Sequence, residues 1–121
     1  MSPPTPTRAP FNLLANLPSG LVEEQFDSLI ERPGVRLERI VSNGQATPAG
    51  TWLSQAEAEW VLLLQGAAGL SFEDGGAGEP GGPAEIVLAP GDSLFISPGR
   101  RHRVDWTARD QITVWLALHL A

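Results

Sequence analysis

Residues 91–106 read GDSLFISPGRRHRVDW. A short apolar run at 93–96 meets a turn at Pro98-Gly99, and a second β-type run at 101–106 carries His102, one of the chain's two histidines. Two such runs joined by a Pro-Gly turn predict neighbouring strands. Alternation then puts His102, Val104 and Trp106 on one face and Arg101, Arg103 and Asp105 on the other. The first set is expected to face the protein interior.

The same period continues on both sides of this stretch. Val35, Leu37, Arg39 and Val41 alternate with Arg36, Glu38 and Ile40, and Ser42-Asn43-Gly44 follows as a turn. Further β-like runs lie at 50–53, 60–64, 68–72, 85–88 and 112–120, nearly all separated by turn residues. The segment 74–83, DGGAGEPGGP, reads as a hairpin loop; a phosphate cradle should open a helix and carry a lysine, and the chain has no lysine. Earlier, residues 21–31 carry Val22, Phe26, Leu29 and Ile30 at helical spacing, with Ser19 as N-cap and Pro33-Gly34 as the stop. Seven or eight short strands preceded by one short helix predict an all-β sandwich or barrel. Parallel α/β folds are disfavoured because no helical crossover separates the strands.

Composition narrows the chemistry. A chain of 121 residues is expected to form one domain, here 19–121, behind an extended proline-rich tail at 1–18. The absence of cysteine excludes disulfides and thiolate metal sites, so any metal must sit on nitrogen and oxygen. A net charge of −6 opposes nucleic-acid binding, and no apolar run is long enough to span a bilayer. The N-terminus shows no signal-peptide pattern, and a cytoplasmic location is expected.

Glu59 opens the strand-like WVLLL, in phase with Val61 and Leu63. A carboxylate there requires a cation, a metal or hydrogen-bond donors. His119 shares a face with Trp115 and Ala117, near the end of the last strand, and reads as a structural or interface residue. Trp52, Trp60 and Trp115 read as core or dimer contacts, and Arg100 and Arg101 as charges beside the turn that are able to attract an anionic group.

These residues resemble the cupins, a family of small jelly-roll barrels marked by two motifs. The second motif runs Gly, five residues, Pro, one residue, Gly, two residues, His, three residues, Asn. Gly91, Gly99 and His102 fall at its positions, with Ser97 in the proline place and Trp106 in that of the asparagine. In the first motif, Glu59 and Gly66 keep the closing spacing, while Leu53 and Gln55, or Trp52 and Ser54, stand where two histidines belong. The resemblance covers about 35–120 and implies a cupin-type jelly-roll β-barrel, homodimeric, with Glu59 close to His102. It also implies a divalent metal, iron, manganese, nickel or zinc, in that neighbourhood, with Glu59, His102 and Gln55 as its ligands here. Two functions are then open. One is a module holding a small anionic or sugar-like molecule against Glu59, His102, Trp106, Val104, Gln55 and Arg101. The other is a metal-dependent isomerase, decarboxylase or oxygenase.

Overall fold

A computed structural model describes residues 10–75 and 85–121. Eight strands occur in it: β1 (Gln25–Arg32), β2 (Val35–Ser42), β3 (Ala58–Gln65), β4 (Ala68–Phe72), β5 (Glu85–Leu88), β6 (Ser93–Ile96), β7 (His102–Thr107) and β8 (Thr113–Leu120). All ladders are antiparallel. One sheet runs β1-β2-β8-β3-β6 and the other β5-β4-β7. Between them lie Leu63, Ala68, Leu70, Leu88 and Trp115, with Ile40, Ile86, Leu94 and Val104 packed against this cluster. Alternation makes this arrangement favourable, because each strand offers one apolar row to the space between the sheets.

The helix expected at 21–31 is not there: no helix occurs among the described residues, and most of that segment is β1. Val22 is 92% exposed and Phe26 57%, so the apparent helical stripe has nothing to bury against. Instead Pro33-Gly34 turns the chain back, and β1 pairs with β2 from Arg32↔Val35 to Gln25↔Val41. A register shift between Ser28 and Ile30 sets Leu29 outside the pairing. That bulge interrupts the period of two, and so Phe26, Leu29 and Ile30 acquire the spacing of a helix.

The run at 50–53 forms no strand and contributes a single bridge, Leu53↔His102. Of the expected tail, residues 1–9 lie outside the described residues, as does 76–84, which includes most of the glycine-rich loop. Phe11 and Leu13 lie against the sheet: the Phe11 ring sits under the Arg39 guanidinium, and the Leu13 carbonyl accepts a hydrogen bond from it. Arg39 also donates twice to Asp27, at 2.9 and 2.6 Å, which joins β2 to β1. Burial pushes the Asp27 carboxyl upward, but the hydrogen bonds from Arg39 and Gln25 outweigh it and hold the group below its usual range. No helix among the described residues is long and apolar enough to cross a membrane.

Candidate functional site

A cavity of about 290 Å³ opens between the sheets beside the core. Its floor is apolar, with Val61, Ile96 and Trp115, and the exposed Phe26 and Leu53 stand at its rim. Four ionisable side chains converge on one wall: Glu38 from β2, Glu59 from β3, His102 from β7 and His119 from β8. Strand register brings three of them together. Glu59 pairs directly with His119, and Glu38 faces Ala117, two residues away on the same strand face.

His102 is held from several sides. Its backbone exchanges two hydrogen bonds with Leu53, at 2.7 and 3.0 Å. Its Nδ1 lies 2.9 Å from the Arg100 carbonyl, which can only accept, so Nδ1 carries the proton. In the neutral ring the lone pair is then on Nε2, 3.7 Å from Glu59 Oε1. His119 is oriented differently. Its Nε2 lies 2.8 Å from Glu38 and 3.8 Å from Glu59 Oε2, while its Nδ1 faces the Gln55 amide at 3.3 Å. Gln55 Nε2 also donates to Glu59 Oε1 at 3.0 Å, and the Gln55 carbonyl accepts from the Gly99 amide at 2.7 Å. The amide nitrogen therefore bridges Glu59 and His119.

Burial raises the pKa of Glu59; His119, His102 and the Gln55 hydrogen bond oppose the rise, and Glu38 adds to it. Glu59 therefore holds its proton to a higher pH than an exposed glutamate does. Below this wall, Trp115 donates to Ser42, which donates to Glu24.

Of the residues anticipated from sequence, Glu59, His102, Val104 and Gln55 line the cavity, whereas Trp106 and Arg101 do not. Trp106 pairs with Gly69 but Val104 with Leu70, so Asp105 is an extra residue in β7. This bulge turns Trp106 to the other face, where its indole donates to Glu85 at 3.0 Å. Gly69 makes room for it, since a Cβ there would collide with the indole nitrogen. Arg101 is exposed and pairs with Glu73 at 3.3 Å. Conversely, Glu38, Arg36 and Glu24 line the cavity although no sequence signal pointed to them. His119 joins them, and the face it shares with buried Trp115 and Ala117 was the signal in the sequence.

Solved structures place the fold. A candidate mannose-6-phosphate isomerase of Ralstonia eutropha JMP134 superposes with a TM-score of 0.83 at 42% identity, over 93% of this chain and 98% of that one. A cupin superfamily protein of Desulfitobacterium hafniense DCB-2 superposes with a TM-score of 0.71 at 17% identity, over 95% and 93%. The chain belongs to the cupin superfamily. The cupin domain of Schizosaccharomyces pombe Cnp3 shares the fold at a TM-score of 0.65 and 11% identity, over 81% of this chain and 61% of that one. No protein-family model and no curated protein matches the sequence.

The metal that the cupin resemblance implies does not fit these side chains. Among the described residues, no three His, Cys, Asp or Glu groups are disposed to hold a metal ion. The carboxylates and imidazoles are close to one another, but they are committed to one another. His119 meets Glu38 through one nitrogen and Gln55 through the other, and Gln55 occupies Glu59 Oε1. What remains open is His102 Nε2 and one oxygen of Glu59, fewer than the three protein ligands a catalytic zinc ordinarily has. In this cupin, Gln55 serves as a hydrogen-bond bridge.

Proposed function

We propose that this cupin binds a small polar, sugar-like molecule in the cavity at Glu59 and His102. One observation carries the reading: a largely buried carboxylate and a buried imidazole stand 3.7 Å apart on one wall of a cavity with an apolar floor. Small-molecule sites are typically built in this way, from apolar walls with a few convergent polar groups. The volume, near the lower end for such sites, suits a ligand of a few to about a dozen heavy atoms.

Thermal unfolding against a set of monosaccharides and alditols tests it. A ligand of the native cavity raises the melting temperature of the parent chain, and that rise should disappear in His102→Ala and Glu59→Gln. A rise that persists in both variants would move the binding site elsewhere.

A second reading, a sugar isomerase, is supported by the name of the Ralstonia relative and by the acid-base character of the pair. His102 Nε2 is suited to take a proton from a carbon beside a carbonyl, and Glu59, whose protonated form burial favours, to supply one. Solvent deuterium incorporated into an aldose or ketose by chelator-treated protein, and lost in His102→Ala, would establish it. Elemental analysis of protein purified without chelators should return well under one metal ion per chain. A stoichiometric metal that vanishes in His102→Ala would reject the metal-free site.

A further inference from the structure

Resting on the reading that the cavity binds a small polar molecule, we infer that its ligand is an uncharged, hydroxyl-rich molecule, a free sugar or polyol, and that phosphorylated and carboxylated sugars are rejected. The charge of the lining is the first ground. Glu24, Glu38 and Glu59 face the cavity, against the single guanidinium of Arg36. Arg36 is itself shared between Glu38, at 3.9 Å, and Glu57, at 3.7 Å. With both imidazoles neutral, the lining carries more negative than positive charge even when Glu59 is protonated.

No neighbouring arginine corrects this balance. Arg100 pairs with Asp74 at 2.9 Å and stacks on Phe72, Arg101 pairs with Glu73, and Arg103 lies 3.1 Å from Asp105. None of the three lines the cavity. A phosphate or carboxylate in the ligand would meet carboxylates without the paired guanidinium that such groups ordinarily require.

Hydrogen-bond polarity is the second ground. The ionised carboxylates of Glu24 and Glu38 only accept, and His102 as the neutral ring, with its Nδ1 proton committed to the Arg100 carbonyl, presents an acceptor at Nε2. Of the donors in the lining, the Gln55 amide is occupied by Glu59 and His119, and the Arg36 guanidinium lies between Glu38 and Glu57. An acceptor-rich wall selects a donor-rich partner. Hydroxyl groups donate, whereas a phosphate dianion only accepts. The apolar side chains of Trp115, Val61 and Ile96 on the floor of the cavity suit the C–H surface of a sugar or alditol.

The test is a heteronuclear NMR titration of the full chain at constant ionic strength. D-mannose, D-fructose and D-mannitol are compared with mannose 6-phosphate and fructose 6-phosphate, with His102 and His119 ring signals as reporters. At least one unphosphorylated probe should shift these signals, with an affinity above that of its phosphate ester by roughly tenfold or more. Replacing Glu38→Gln, or Glu24→Gln should the first variant not fold, is expected to narrow that gap by admitting the ester. A phosphate ester that binds at these signals more tightly than its parent sugar would overturn the inference while leaving the small-molecule reading intact. A gap unmoved by both substitutions would overturn it too, since charge would not be its cause. If none of the five probes reaches the cavity, the binding reading fails, and the inference with it.

Discussion

The hydrogen bond from His102 Nδ1 to the Arg100 carbonyl decides which ring nitrogen is left for chemistry. Without it the neutral ring has two tautomers of similar energy; with it, the neutral ring keeps its lone pair on Nε2, 3.7 Å from Glu59. Glu59 in turn is buried beside a second carboxylate, and its pKa stands above the ordinary glutamate value of 4.5. The consequence for stability has a definite sign. Between that value and the raised native one, the folded chain keeps a proton that the unfolded chain has lost, so stability falls as pH rises through the window. A glutamine at this position cannot titrate. In urea melts followed upward from mildly acidic pH, Glu59→Gln should lack this part of the fall, and the stability difference between variant and parent should grow in the variant's favour before levelling off. Parallel pH profiles for the two chains would contradict the assignment.

Among the elements, the bulges govern most of what the site contains. The extra residue at Asp105 removes Trp106 from the cavity, and the one at Leu29 gives β1 its helix-like spacing. The β3–β4 corner is set differently, by close approach. Gly66 has φ +92°, and a Cβ there would collide with Thr113 Oγ1 and lie 2.6 Å from Thr113 Cα. Thr113 Oγ1 also lies 3.3 Å from the Ala67 carbonyl, so the corner cannot open without loss of that contact. Gly66→Ala should therefore cost about 2–4 kcal/mol, combining backbone strain with overpacking. The expected signature is a lower denaturation midpoint with an unchanged m-value. A midpoint within error of the parent's would show that the corner yields.

For the whole molecule, β1 is one edge of the larger sheet, and Phe26 and Ile30 on it are 57% and 47% exposed. An edge strand with exposed apolar side chains is a surface that proteins commonly cover. A homodimer is the expected solution state, and light scattering should give about twice the 12.9 kDa of one chain. Ile30→Lys should return the mass of a single chain if β1 forms the contact. A parent chain that scatters as a monomer at all concentrations would remove the expectation.

Much of the architecture was legible in the sequence. Runs of alternating residues between turn signals located β2, β4, β5, β6 and β8 within a residue or so, because alternation and turn chemistry are local properties of the chain. The spacing Gly91, Gly99, His102 located the buried histidine, and the placement of Glu59 at the head of an apolar strand located its partner. What tertiary structure alone decided is the company these two keep. His119 stands opposite Glu59 although the two are far apart in sequence, and Glu38 reaches His119 from β2. Such pairings follow from ladder register between distant strands, which no local period encodes. A bulge adds one residue and reverses the faces beyond it, so Trp106 left the cavity although its alternation with His102 is perfect in sequence. The negative, acceptor-rich lining exists only once these strands are assembled, because it is the sum of side chains drawn from separate elements.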